Sequence, residues 1–299
     1  MPKLRLKETD EPNAAVVVRC LGTFSLTVHG QPVERWRAGK TRNLFHYLLM
    51  NRGQVVLKTR LQEVLWPEHD GSSSTSLRVA VHALRRILDS PLGDPTAPVQ
   101  VAYQDMGYML SMDDVWVDVE QFAAACAEGH AAESHGDRRA AVEAYHRAVG
   151  LYTGDFLAQD EADWAQEYRQ WNRTRVLQAL SFLRNEAIRR GDVSEAAQWS
   201  QATLEIDQYH ENSYRTLMSV HASRGERGQV KLWYELCARR LEELSVDPEP
   251  TTSAIYARAL GGPRPRPAAR PVTTAVRAGR PACEQLWDRP RTGGEATIA

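Results

Sequence analysis

The sequence contains no apolar run approaching 18 residues, so no membrane-spanning helix is expected. Its opening stretch, "MPKLRLKETDEP", has no apolar core and argues against a secretory signal. Cysteine is scarce. Cys20, Cys126, Cys237 and Cys283 lie far apart and form no C-x-x-C pair, so they read as free thiols in a reducing compartment, without structural zinc. His130, His135 and His146 lack the H-E-x-x-H spacing of a metal site and read as surface histidines. No serine sits in G-x-S-x-G. "AGKT" at 38–41 resembles the end of a phosphate-binding loop, but that motif needs glycine at position 34, which is Glu34. These absences leave no expected metal or cofactor and no catalytic constellation. The expectation is a cytoplasmic protein that is not an enzyme.

Charge is present in quantity but unevenly placed. Residues 1–112 carry a net charge of +4, residues 113–262 of −9 and residues 263–299 of +4. A basic segment can approach nucleic acid, while an acidic one is repelled by it and more often meets protein. Hydrophobic content of 42% and charged content of 25% fit a globular chain, and 299 residues allow two domains.

The stretch "STSLRVAVHALRRILDS" at 74–90 is the most informative. Leu77, Val81, Leu84 and Leu88 recur at helical spacing and form an apolar stripe. Arg78, His82 and Arg85 recur one residue on, and Arg86 widens their stripe. One side of this helix belongs in a core, and the other presents positive charge. An ordinary solvated helix face would show the same periodicity, so context has to decide.

The surrounding order is sheet, three helices, hairpin. "AVVVRCLG" at 15–22 and "FSLTV" at 24–28 read as strands, with "HGQP" as a turn. "KTRNLFHYLLMN" at 40–51 reads as a helix with Leu44, Phe45, Tyr47 and Leu48 inward and Gly53 just past its end. Thr59 and Gln62 have capping-box spacing and predict a helix start at Thr59. Ser72, Ser73 and Ser74 offer caps for the informative helix. "VQVAYQDMGYMLSM" reads as a hairpin turning at Asp105–Gly107, with Tyr103 and Tyr108 packed beneath it.

From about Asp118 the pattern becomes long helices. Three stretches align on Gly136, Gly191 and Gly225. Five residues later stand Ala141, Ala196 and Val230, and twelve later Ala148, Thr203 and Cys237. Gly191 to Gly225 is 34 residues, the tetratricopeptide period, while Gly136 to Gly191 is 55 and implies an insertion. Stacked helix pairs leave a concave face suited to binding protein segments. Trp164, Trp171, Trp199 and Trp233 are expected mostly in the core of this half. Residues 263–299, rich in Arg, Pro and Gly, are expected to be disordered.

The three-helix unit between a leading sheet and a trailing hairpin resembles the winged helix of OmpR-type response regulators. The stretch from Tyr209 to Leu260, "YHENSYRTLMSV…SAIYARAL", resembles the end of the bacterial transcriptional activator domain. Their pairing resembles the Streptomyces antibiotic regulatory protein family. The signatures are "LQEVLWPE", "SLRVAVHALRRIL", "GY" at 107–108 and "EELSVDPEP". The fold expectation is mainly α with a small β part. A flexible N-terminus at 1–14 precedes a winged helix at 15–112, a tetratricopeptide-like all-α domain at 113–262 and the tail.

The resemblance implies a transcriptional activator that binds direct repeats in double-stranded promoter DNA, contacts RNA polymerase and often serves one biosynthetic gene cluster. The helix at 74–90 would enter the major groove, with Thr75, Ser76, Arg78, His82, Arg85 and Arg86 toward the DNA. Arg37, Lys40 and Arg42 would hold phosphate near a helix start. Glu68, His69 and Asp70 would face polymerase, and the acidic half would supply polymerase or homodimer contacts. Residues 1–112 alone would keep some DNA binding but fail to activate. The sequence departs from the family at Ala83 and Met109, where arginine is usual, and at Ser245, where a helix-ending glycine is usual. The first two departures support an alternative, a helical interaction protein whose winged helix binds a protein partner instead of DNA.

Overall fold

The computed structural model describes residues 13–34, 36, 39–67, 73–88, 97–160 and 162–261. The expectations for the N-terminus, Arg37, the 68–70 loop and the tail lie outside the described residues.

The chain opens on β1 (Val16–Arg19), β2 (Ser25–Val28) and β3 (Gln31–Pro32), followed by α1 (Lys40–Met50). Valines at alternate positions bury one face of β1. It pairs antiparallel with β2, Val16 opposite Val28. Next come β4 (Val56–Leu57), α2 (Lys58–Leu65) and α3 (Ser73–Ile87). Leu44, Phe45, Leu48 and Leu49 of α1, Leu61 and Leu65 of α2, and Leu77, Ala80, Val81 and Leu84 of α3 are all buried. Each large apolar side chain contributes up to about 1.5–3 kcal/mol. The expected capping box does not form. α2 starts at Lys58 with Leu57 as cap and no side-chain cap bond. Leu57 is already extended as the last residue of β4, so the strand runs directly into the helix.

β5 (Val99–Gln104) and β6 (Gly107–Met112) form the expected hairpin. Its turn residues Asp105 and Met106 both have positive φ, 47° and 66°. β4 joins β6 as a third strand. A Cβ on Gly107 would lie 2.3 Å from the Val56 carbonyl oxygen, so only glycine fits there. β7 (Val115–Val117) then returns to the leading sheet and pairs parallel with β1, giving the order β3-β2-β1-β7.

The helical half follows as α4 (Asp118–Ser134), α5 (Arg138–Leu151), α6 (Trp164–Arg190), α7 (Val193–Ile206), α8 (Glu211–Ser223), α9 (Arg227–Glu242) and α10 (Pro250–Ala259). The three sequence repeats are the second helices of three antiparallel pairs, α4–α5, α6–α7 and α8–α9. Gly136, Gly191 and Gly225 make the turns, with φ of 78°, 76° and 72°. The small residues at both repeat offsets are at most 1% exposed. Their size lets the paired helices approach closely. Asp137 and Asp192 cap α5 and α7 through their side chains. The long first interval holds the 152–163 segment and the 27-residue α6. After α9, Ser245 is left-handed at φ 57°, at the position where the family resemblance leads one to expect a helix-ending glycine.

The two halves share one apolar core, running from Val16 to Trp199. Asp118 at the start of α4 accepts from the backbone N–H groups of Cys20 at 2.7 Å and Leu21 at 2.9 Å. Leu21 bridges to Phe156 of the inserted segment. Arg52 pairs with Glu120 through both terminal guanidinium nitrogens, Nη1 and Nη2. His46 Nδ1 lies 2.8 Å from Asp160 Oδ2, both side chains almost fully buried. Burial lowers the His46 pKa against the pull of Asp160. Burial works to raise the Asp160 pKa, but His46, the Ala162 N–H and Arg42 outweigh it and hold it low. The pair is therefore a neutral imidazole donating to a carboxylate near neutral pH.

Candidate nucleic-acid interface

α3 is strongly two-sided. Leu77, Ala80, Val81 and Leu84 lock one side into the core. Thr75, Ser76, Arg78, His82 and Arg86 are exposed on the other. No acidic residue lies between Ser73 and Ile87, so no side chain of the helix itself offsets these bases. Arg85 and Arg86 fall in the last turn, where the helix dipole favours cations.

Arg85 differs from its neighbours. It is half-buried, and its Nε and Nη2 donate to the Val101 carbonyl of β5 at 3.0 and 2.6 Å. Its guanidinium thus ties α3 to the hairpin. Arg42 is turned similarly. Its Nη2 donates to the Gln159 carbonyl at 3.0 Å, which commits it to the joint between the halves. Lys40, at the first position of α1, is exposed beside the N–H groups of a helix start that has no side-chain cap.

The hairpin tip presents Met106, 69% exposed, beside Asp105. Tyr108 is buried as expected, but Tyr103 is half-exposed, with Lys58 Nζ 4.6 Å above its ring centre. Two residues escaped the sequence reading. Lys58 brings a cation from the start of α2 to the hairpin. Val79 is 63% exposed in the middle of the basic face of α3. Its signal was available: it is the apolar residue that does not fit the Leu77–Val81–Leu84 stripe. Such a side chain suits a thymine methyl group.

Among the described residues no three His, Cys, Asp or Glu side chains gather in a metal-binding group. No described helix is long and apolar enough to cross a membrane.

This arrangement of three helices, sheet and hairpin, followed by stacked helix pairs, matches two family models in the same order. Residues 35–110 match "Transcriptional regulatory protein, C terminal", and residues 117–260 match "Bacterial transcriptional activator domain". The chain belongs to the Streptomyces antibiotic regulatory protein family. Family relatives include the regulatory protein AfsR of Streptomyces griseus, 25% identical over 269 residues, covering 87% of this chain and 26% of that one. AfsR of Streptomyces coelicolor is 25% identical over 244 residues, covering 77% of this chain and 23% of that one. The chain therefore spans about a quarter of the length of these two relatives. The transcriptional regulatory protein MoaR1 of Mycobacterium tuberculosis is 25% identical over 253 residues, covering 82% and 79% of the two chains. In fold, the chain is similar to Mycobacterium tuberculosis EmbR, solved with a low-affinity phosphopeptide. The TM-score is 0.61 at 22% identity, over 84% of this chain and 66% of that one. The fold is thus an OmpR-type winged helix followed by a tetratricopeptide-like helical domain.

Proposed function

We propose that this family member is a sequence-specific DNA-binding transcriptional activator, and that α3 reads promoter DNA from the major groove. The observation that carries this reading is the exposed, acid-free face of α3, held rigidly by its buried opposite face. Arg78 and His82 are the base-reading candidates, since Arg can donate twice to guanine O6 and N7. Val79 joins them as an apolar contact. Thr75, Ser76 and Arg86 are assigned to the phosphates, with Lys40 at the start of α1 and with Arg37, which lies outside the described residues. Arg85 and Arg42 support the interface from behind, through the Val101 and Gln159 carbonyls.

The division of labour follows the charge. The winged helix, residues 15–112, approaches DNA, and the acidic helical half, residues 113–262, meets protein. RNA polymerase is the proposed partner there and at Glu68, His69 and Asp70, and a homodimer on direct repeats is the proposed assembly. A cytoplasmic, non-catalytic regulator of one biosynthetic gene cluster is the finest form of this reading.

The test is a mobility shift of the full chain on the DNA upstream of its own gene, over a salt series. With four to six phosphate contacts, the slope of log K against log salt should be about −4 to −5. Binding that ignores salt, or no binding to any upstream fragment, contradicts the reading and favours a winged helix that binds protein.

A further inference from the structure

The segment between α5 and α6 has two sides. On one it docks on the winged helix. The Gly22 N–H donates to the Asp155 carbonyl at 3.0 Å, and the Leu157 N–H donates to the Cys20 carbonyl at 2.7 Å. Thr153 Oγ1 donates to the Leu21 carbonyl. The fit is close, since a Cβ on Gly154 would lie 3.1 Å from the Gly22 Cα. On the other side Tyr152, Thr153 and Gly154 wall a pocket of about 510 Å³. Small-molecule sites run from roughly 300 to 1,000 Å³. The rest of the wall comes from the end of α5, from α6 and from the last turns of α7.

The pocket is mainly aliphatic, lined by Val149, Val176, Leu180, Ala202 and Ile206. The hydroxyl groups in its wall are already engaged, Tyr152 with Asp155 at 2.7 Å and Thr153 with Leu21. Glu205 differs. It lines the pocket, is exposed, and has no hydrogen-bond or ion-pair partner among the described residues. Arg173 of α6 donates to the Ile206 carbonyl at the end of α7 and serves that helix end instead. The end of α5 also borders the pocket and has no basic residue in its last turn. A helix C-terminus carries partial negative charge. An apolar space is thus bordered by an unpaired carboxylate and an uncompensated helix end.

We propose that this pocket binds a primary amine with an apolar body. Its ammonium group pairs with Glu205, and its body fills the space between Val149, Leu180 and Ile206. The charge selects the ligand: an anion would be repelled by Glu205, and a neutral molecule would leave the carboxylate unused. Tyr152, Thr153 and Gly154 belong to both the pocket and the joint, so a bound amine should also slow local opening of the joint. The inference is independent of DNA binding, because it uses no residue of α3.

The experiment titrates the full chain with octylamine, octanol and octanoate, three probes that share one body, up to millimolar concentration by ligand-observed NMR. Octylamine should bind about tenfold more tightly than octanol, and octanoate most weakly. Glu205→Gln, at an exposed and unpaired position, should keep the melting temperature, abolish the advantage of the amine and leave octanol binding as it was. Ala202→Leu should fill the pocket and weaken amine and alcohol alike. With octylamine bound, hydrogen exchange at the Gly22 and Leu157 amides should slow severalfold. Equal binding of the three probes, no binding of the amine, or an amine advantage that survives Glu205→Gln overturns the proposed site. Unchanged exchange at Gly22 and Leu157 with the amine bound overturns its coupling to the joint.

Discussion

Replacing Asp118 with alanine should destabilise the whole chain, and more at pH 5 than at pH 7.5. The carboxylate accepts N–H groups from Cys20, Leu21 and Val119, at 2.7, 2.9 and 2.7 Å. Cys20, Leu21 and Val119 are at most 2% exposed, so alanine leaves three buried donors without this acceptor. Each costs about 1–3 kcal/mol, or about 3–9 in all. The pH dependence follows from the group's own titration. Burial pushes the Asp118 pKa up to about 6 from 3.8, against the pull of its three N–H bonds and Arg19. Raised in the folded state, it contributes stability that is fully present below the unfolded value and is lost as pH rises through about 6. Between pH 7.5 and 5 the wild type should gain about 1–1.5 kcal/mol from this group, which the variant cannot. His46, lowered in the folded state, acts oppositely but is common to both proteins and cancels in the difference. Urea unfolding at the two pH values measures it. One transition, coincident by circular dichroism and tryptophan fluorescence, is expected because the halves share a core. A loss below about 0.5 kcal/mol, or an equal loss at both pH values, would refute the argument.

Cutting the chain after Met112 removes β7, Asp118, Phe156 and Asp160 from around β1 and α1. This fragment should be largely unfolded by circular dichroism and should not bind DNA, in contrast to the sequence expectation. A folded, DNA-binding fragment would show that the joint is dispensable. Ser245→Gly should raise stability by about 0.5–1 kcal/mol, because glycine accepts the left-handed backbone at φ 57° without strain; a thermal melt decides. Arg85→Ala should lower the melting temperature and weaken specific and random DNA alike, since its guanidinium serves the Val101 carbonyl. A change in base preference from Arg85→Ala would place it on the DNA instead.

What was legible in the sequence was periodic or local. The stripe of α3 and the small residues after Gly136, Gly191 and Gly225 repeat at intervals set by helix geometry. The left-handed place of Ser245 came from the family resemblance, as the position of a helix-ending glycine. The joint was illegible because its partners are distant in sequence. Asp118 reaches Cys20 across 98 residues, and Asp160 reaches His46 across 114. No spacing rule brings an inserted segment onto α1. Arg78 and Arg85 show the same limit within one helix. Both lie on the stripe, but β5 supplies a carbonyl within reach of Arg85 alone, and only the folded hairpin reveals it. The capping box at Thr59 failed for a local reason that needs tertiary context, since pairing of β4 with β6 fixes Leu57 in extended form at the helix start.

The central claim is that α3 reads bases with Arg78, Val79 and His82. The most direct measurement is selection from a random duplex pool by the full wild-type chain and by Arg78→Ala, followed by sequencing. The wild type should enrich a short motif in direct repeats. Arg78→Ala should lose preference at one position of each repeat, at a cost of about 1–3 kcal/mol on the selected site, and should bind random DNA almost as before. The same motif from both proteins, or none from the wild type, would contradict the account.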